Sequence, residues 1–452
     1  MMKKLIKNAL ISTGKNNETQ KVNILFDEKI EQISASEIRA ENVEIIDLQG
    51  KLLLPGCIDA HVHFNDPGYT FHEDFLSGTT AAACGGITTI IDMPCTSVPP
   101  VTNSENLREK LKAISSKALI DYALWGGIRK NDLPVSEQIV RKLWNEGVVG
   151  FKIYTISGME TFGDLTYKEI ETVFRKFPDI LFAFHAEDKK IIEKATASFS
   201  SEELKLPENY VYSRPPEAEI EAVRKILKIA QNNKIHFVHI STRDAAFLIL
   251  DKKKSFDVSF ETCPHYLEFT AADFSALKGK LKTAPAVKFQ EDKNSLRDLL
   301  KKGKIDFVAS DHAGCDYESE KQLDDFSKVY SGIPGTELMI PYLFSEFYLK
   351  EQVPLSTIIK ITSENPARRY GLFPRKGSLE IGSDADFTVI DLKKKFRVDE
   401  TKLHSLGKYS PFHGKIFGCS VDKTIVRGEI IFDSEEGIVG KSGFGKWIKA
   451  RQ

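Results

Sequence analysis

The chain predicts an α/β fold, a (β/α)8 barrel with a small β-sandwich domain built from both termini. Three observations lead there. Eight apolar, β-type runs recur at residues 52–63, 87–94, 119–125, 148–154, 180–185, 235–240, 256–262 and 305–311. Amphipathic helical stretches separate them. The flanks, residues 5–47 and 376–432, carry short β-type runs with little helical periodicity. Strands alternating with helices are the pattern of a parallel sheet, and eight such units in succession imply a barrel whose active site lies where the strands end.

Between residues 217 and 231, Ile220, Val223, Ile226, Leu227 and Ala230 fall on one face at helical spacing. Residues 136–146 do the same with Ile139, Val140, Leu143 and Trp144, and Gly147 stands where a helix stops. In the flanks, β-type runs at 22–26, 387–390 and 424–427 would each bury little surface as isolated hairpins. Paired into one small domain they bring the chain ends together. The predicted division is therefore 1–51 with 376–452 for the β-domain and 52–375 for the barrel. No internal repeat exists beyond the barrel rhythm.

Composition narrows the function. The 452 residues are 41% hydrophobic and 28% charged, values of an ordinary globular protein. Lys and Arg number 63 against 64 Asp and Glu, and this balance argues against a nucleic-acid or membrane-surface partner. The opening Met1-Met2-Lys3-Lys4-Leu5-Ile6 starts like an export signal, but Lys7 and Asn8 interrupt it, so no export or membrane-spanning segment is expected. Cys57, Cys84, Cys95, Cys263, Cys315 and Cys419 have neither zinc-ribbon nor disulfide-scaffold spacing, which suits small core residues in a reducing cytoplasm.

Polar residues gather at the strand ends. In His61-Val62-His63 the two imidazoles, two apart on a strand, face the same way and can share a cation. Further runs end in Lys152, His185, His239 and Asp311. A solitary histidine is most simply a packing residue, but six such groups at one end of a barrel converge on one mouth and read as a metal site. His236, three before His239, is expected to face away; it and His72, His265, His404 and His413 are assigned structural roles. As an ammonium, Lys152 is a poor ligand. Buried and deprotonated near cations, its amine can add carbon dioxide and become a bridging carbamate. Two cations with four histidines, that carbamate and Asp311 would hold a hydroxide for attack on a carbonyl, and Asp311 would pass its proton to a leaving nitrogen.

The strings His61-Val62-His63-Phe64-Asn65-Asp66-Pro67-Gly68, Gly85-Gly86-Ile87-Thr88-Thr89, Asp92-Met93-Pro94, Gly150-Phe151-Lys152, His185-Ala186-Glu187, Val238-His239-Ile240-Ser241, Glu261-Thr262-Cys263-Pro264-His265-Tyr266-Leu267 and Ser310-Asp311-His312 resemble the cyclic-amidohydrolase branch of the amidohydrolase superfamily. That branch contains dihydroorotases, allantoinases and hydantoinases. The resemblance covers almost the whole chain and extends to Gly382-Ser383-Asp384-Ala385-Asp386 and Ile425-Val426-Arg427-Gly428. It implies the TIM-barrel fold, a homo-oligomer such as a dimer or tetramer, and hydrolytic opening of a small cyclic amide. It also implies two divalent metal ions, zinc in most relatives, held by His61, His63, Lys152, His185, His239 and Asp311.

Where dihydroorotases place an arginine, an asparagine and a histidine to hold the substrate carboxylate, this chain has Asn65, Cys95 and Cys315, which become its candidate substrate contacts. None is cationic, and an arginine fork is not replaced by an amide without a large loss of binding. In motif detail the chain is most similar to allantoinases: Asn65 before an acid and Pro67-Gly68, Trp125-Gly126-Gly127, Ser213-Arg214-Pro215, and Cys315. It departs from them at Cys95-Thr96 and Ala313-Gly314, and Gly332-Ile333-Pro334-Gly335-Thr336-Glu337 is more like a dihydroorotase loop. Dihydroorotase or hydantoinase activity is the alternative. Two other classes differ in metal content: a deaminase of the same superfamily needs one cation and has no use for Lys152, and a non-catalytic scaffold needs none. Residues 313–331, polar and aperiodic, are expected to be either a mobile lid over the mouth or a solvated loop.

Overall fold

The computed structural model describes residues 2–15 and 17–450; residues 1, 16, 451 and 452, all in the flanks assigned to the β-domain, lie outside the described residues. Every predicted barrel run contains a strand. In order these are β1 (Cys57–Val62), β2 (Ile87–Asp92), β3 (Asp121–Leu124), β4 (Phe151–Tyr154), β5 (Leu181–His185), β6 (Lys234–Phe237), β7 (Val258–Thr262) and β8 (Phe307–Val308). They run parallel in two arcs, β1 to β3, and β4 to β8 with the short strand Gly126–Gly127 on its edge. The arcs meet at Trp125, where Trp125 N donates to Asp92 O and Gly126 N to Gly150 O. At the other seam Val62 bridges His312, and His63 N donates to His312 O at 2.8 Å. This is the (β/α)8 barrel, and its core is the apolar contact between strands and surrounding helices.

The helices follow local chemistry. Glu137–Glu146 starts on the Ser136 side chain, which accepts from Ile139 N, and ends at Gly147 with φ 112°, a left-handed conformation that glycine adopts without strain. Its apolar face is narrower than predicted: Val140 and Leu143 are buried, but Ile139 is 47% exposed. In Pro216–Ile229, Val223, Ile226 and Leu227 are buried as their spacing requires.

The first run, read as one strand over 52–63, is two. Leu52–Pro55 pairs antiparallel with Phe387–Asp391, and the barrel begins only at Cys57. Gly56 marks the crossing, since a Cβ there would lie 2.6 Å from Asp386 Cβ. No side chain fits where the chain passes from one sheet to the other.

Among the described residues that second sheet has nine strands. Gly437–Ile438, Glu429–Asp433, Ser420–Val426, Phe387–Asp391, Leu52–Pro55, Lys4–Ser12, Thr19–Phe26 and Ile30–Ser34 pair in this order, and Glu44–Asp47 lies beside Lys4–Ser12. Of the opening stretch that resembles an export signal, Lys4 to Asn8 lie in this sheet. Phe26 and Phe387 sit three strand steps apart, roughly 14 Å if the sheet were flat. Their ring centroids are 5.2 Å apart, so the sheet curls over its own core of Ile6, Val22, Ile24, Leu53, Val389 and Ile425.

A buried ion cluster fastens the curled sheet to the foot of the barrel. Lys376 Nζ lies 2.6 Å from Asp121 at the start of β3, 2.7 Å from Asp386 and 3.1 Å from Asp384. Arg427 Nε adds a 3.0 Å contact to Asp121. Lys376→Met should leave these carboxylates buried without their ammonium and lower stability by about 3–5 kcal/mol. Urea unfolding followed by circular dichroism checks this, and a midpoint equal to that of the unsubstituted protein would assign the anchoring to Arg427 alone.

Candidate metal centre at the barrel mouth

Alternation along β1 turns Asp59, His61 and His63 inward together. Asp59 Oδ1 accepts from Ser310 N at 3.0 Å, which draws the end of β8 onto β1 and brings Asp311 to the histidines. His61 Nε2 and His63 Nε2 are 3.2 Å apart and lie 3.2 and 3.3 Å from Asp311 Oδ1. Three donor atoms thus surround one point, a group able to hold a cation. On the opposite side His185 Nδ1 faces His239 Nε2 at 3.0 Å, and the His239 ring stacks on His61 with centroids 5.4 Å apart. The two groups adjoin.

Their outer nitrogens set the lone pairs. His61 Nδ1 donates to Glu261 Oε1 at 2.5 Å, leaving Nε2 bare toward the centre. His185 Nε2 donates to Glu187 Oε2 at 2.9 Å, leaving Nδ1 bare. Burial holds His61, His185 and His239 below the usual imidazole range, in the neutral form that binds metal. Glu187 is gripped by Arg214, whose Nη2 lies 2.6 Å away. Burial alone would raise this acid, but Arg214 and His185 keep it well below the ordinary carboxylate range.

Lys152, on β4, is fully buried, and its amine has no hydrogen-bond partner among the described residues. It stands 5.1 Å from the centre of the Tyr154 ring, two residues along on the same strand face. Burial brings it down to about 8, against the pull of Cys95, Glu261 and Asp311. A buried amine with nothing to bond is costly unless something else completes it. The unpartnered Nζ beside neutral imidazoles and a carboxylate fits the donor set of a divalent-metal centre.

His236 departs from the expected placement. It does not face away: Nε2 lies 3.1 Å from Glu261 Oε2, so one carboxylate joins His236 to His61 beneath the centre. The parity argument fails because β6 ends at Phe237 and His239 then takes φ 42°. Asp311, beyond the end of β8, likewise has φ 51°. Once the strand ends, alternation no longer dictates direction, and residues three apart both turn inward.

The three candidate substrate contacts lie outside the cavity wall. A cavity of about 350 Å3 opens above the centre, with His63, His185, His239 and Asp311 in its wall, and neither Asn65, Cys95 nor Cys315 lines it. The Asn65 amide donates to His63 O at 3.3 Å. Cys95 Sγ sits behind the wall, 3.6 Å from His63 Nδ1 and 3.1 Å from Tyr154 OH. Cys315 packs against Tyr409, its Sγ 3.3 Å from the hydroxyl. The wall is made instead by Thr96, Tyr154, Met159, Arg214, Thr283 and Tyr330, among others. Tyr154 is further fixed by stacking on His185 at 5.1 Å.

Residues 313–331 reach this wall at both ends, through Ala313 and Tyr330-Ser331. Two buried lysines hold the segment. Lys282 Nζ donates to Phe326 O at 2.6 Å and Val329 O at 2.7 Å, and Lys321 Nζ to Tyr330 O at 2.7 Å. Sequence reasoning assigned no role to Glu261, Glu187, Arg214 or Tyr154. Glu261 carried a signal nonetheless, as a carboxylate inside an otherwise apolar strand must have partners.

Comparison with known proteins agrees with this geometry. The sequence model of the amidohydrolase family matches residues 52–431. An allantoinase of Rubrobacter xylanophilus is 36% identical over 408 residues, 88% of this chain and 88% of its own length. A dihydroorotase of Methanosarcina acetivorans is 34% identical over 451 residues, 96% of this chain and 93% of its own. The solved L-hydantoinase (dihydropyrimidinase) of Arthrobacter aurescens superposes with a TM-score of 0.93 at 31% identity, over 99% of this chain and 100% of that one. From the barrel's first strand to the last long strands of the curled sheet, the chain belongs to the amidohydrolase family.

Proposed function

We propose that the chain hydrolyses a C–N bond in a small, neutral cyclic amide, with allantoin, a hydantoin bearing a ureido arm, as its preferred ring. The observation that carries this is the unpartnered Lys152 amine, buried among His61, His185, His239 and Asp311 at the strand ends. In this reading His61, His63, Lys152, His185, His239 and Asp311 hold two divalent cations, zinc in the first instance. Lys152 Nζ attacks carbon dioxide, an N–C bond forms, a proton leaves, and the resulting carbamate supplies anionic oxygens. When bound, the cations would activate water and polarise the ring carbonyl.

The chain's own groups do the rest. Asp311 reaches the cavity and takes the proton from the attacking water, then returns it to the leaving ring nitrogen. Tyr154 and Tyr330 wall the ring and exclude water, and the clasp of Lys282 and Lys321 keeps Tyr330 and Ser331 in place. Arg214 is the one arginine in the cavity wall among the described residues, and its Nε and Nη2 are engaged by Glu187. Little cationic capacity remains for a substrate carboxylate, which favours a neutral ring. A dihydroorotate-type ring is the second reading, favoured by the Methanosarcina relative and by the loop 332–337.

The proposal extends to a barrel unit at 52–375, whose first strand Leu52–Pro55 pairs into the other sheet, and a composite β-unit from 1–51 and 376–452, supported by the bridge between Lys29 and Asp384 and by Ile30 N donating to Ser383 O at 3.0 Å. It also extends to a cytoplasmic homo-oligomer, a dimer or tetramer, for which the unpaired, buried cysteines and the exposed Tyr69 and Phe71 are the support. No helix among the described residues is long and apolar enough to cross a membrane.

Three outcomes are expected. Zinc-loaded protein offered allantoin, dihydroorotate, hydantoin and dihydrouracil should open allantoin with the highest kcat/KM; preference for dihydroorotate would mean that Arg214 leaves Glu187 to bind substrate. Lys152→Ala should abolish turnover, with partial recovery on adding a short carboxylic acid, whereas full activity without additive would remove the carbamate from the mechanism. Glu261→Gln should weaken metal binding about 10- to 100-fold by loosening His61, read by titration with a chelating indicator; unchanged affinity would confine Glu261 to packing.

A further inference from the structure

Away from the mouth, Cys84 Sγ, a Glu337 carboxylate oxygen and a ring nitrogen of His404 lie within 4.8 Å of one another. We infer that they form a second kind of metal site, for one borderline-soft divalent cation such as zinc. The inference is independent of the proposed reaction.

The three donors come from separate segments. Cys84 ends the helix Phe75–Cys84, Glu337 lies in the first turn of Thr336–Leu343, and His404 follows the short turn Glu400–Lys402. Gly85 lets them meet. A Cβ at residue 85 would lie 2.6 Å from Thr336 O and 2.7 Å from Glu337 Cα, so any side chain there would drive Glu337 away from Cys84.

Thiolate, carboxylate and imidazole are the ligand types zinc takes, and three of them leave a fourth position for water. Glu337 and His404 are already set against each other: Oε1 lies 2.9 Å from Nδ1, and Oε2 accepts from His404 N at 2.8 Å. That ion pair accounts for two of the three groups and not for the third. The Cys84 thiol makes no hydrogen bond among the described residues, yet it is buried facing Glu337. Between them a cation would replace the thiol proton and the proton shared by His404 and Glu337.

Charge favours the exchange. A thiolate, a carboxylate and a divalent cation sum to zero, so Lys394 and Lys402, which line the same cleft, are not set against a net positive centre. Cys84 also sits at a helix C-terminus, where the carbonyl ends carry partial negative charge. Access is open, with His404 42% exposed on a cleft of about 360 Å3. Occupancy would brace the mouth from behind. Thr336, beside Glu337, donates its N–H to His312 Nδ1 at 3.4 Å, and Ser405, beside His404, donates to Glu73, whose carboxylate contacts His312 Nε2 at 3.1 Å.

The test is cobalt uptake by the full-length, metal-loaded protein, followed by elemental analysis and near-ultraviolet absorption. We expect one cation per chain beyond those of the mouth and a thiolate-to-cobalt charge-transfer band. Cys84→Ser and, separately, His404→Ala, a change at an exposed residue, should each lose that one cation and the band while the mouth keeps its own. Absence of the band from the unsubstituted protein, or its survival in Cys84→Ser, would overturn the assignment. Neither readout needs a substrate, so failure of the proposed reaction would leave the result intact.

Discussion

Imidazole nitrogens face one another at the mouth of this barrel, His61 to His63 at 3.2 Å and His185 to His239 at 3.0 Å, and the surrounding structure holds them there. Glu261 takes His61 on one oxygen and His236 on the other, and Glu187 takes His185 while Arg214 balances its charge. Each acid fixes which ring nitrogen is bare, and so decides the direction of the donor lone pair. Without these anchors the rings would rotate and re-pair, and the six groups would be a buried polar cluster rather than a site. Burial serves the same end, since it keeps His61, His185 and His239 neutral and lowers Lys152 to about 8.

Such a cluster needs a rigid frame. The nine-stranded sheet provides part of it, because Leu52–Pro55 belongs to that sheet while the next residues but one begin β1. The strand carrying His61 is therefore continuous with a second core, and Lys376 and Arg427 tie the same sheet to the foot of β3. Over the mouth the wall depends on the buried Lys282 and Lys321, whose Nζ groups donate to the backbone carbonyls of 326–330. Hydrogen bonds to carbonyls are strengthened where water is excluded. A segment that is polar and aperiodic in sequence can for this reason be closely held in the fold.

Legibility followed the range of the interaction. Strand runs, helix faces and the stop at Gly147 depend on neighbours a few residues away, and they stand in the structure with small shifts of boundary. His61 and His63 share a face because strand geometry demands it. Ile139 shows the limit of periodicity, which gives the face of a helix but not the width of what covers it.

The sequence by itself determined the barrel, a small β-domain from both termini, and the donor types standing at the strand ends, because these follow from local periodicity and side-chain chemistry. Only the tertiary structure decided that His236 turns inward, that 52–63 divides at Gly56, and that the cavity wall is Tyr154, Arg214 and Tyr330 rather than Asn65, Cys95 and Cys315. The physical reason is common to all three. Past the end of a strand a positive φ, as at His239 and Asp311, can send a side chain either way, and what lines a cavity depends on which distant segments close over it.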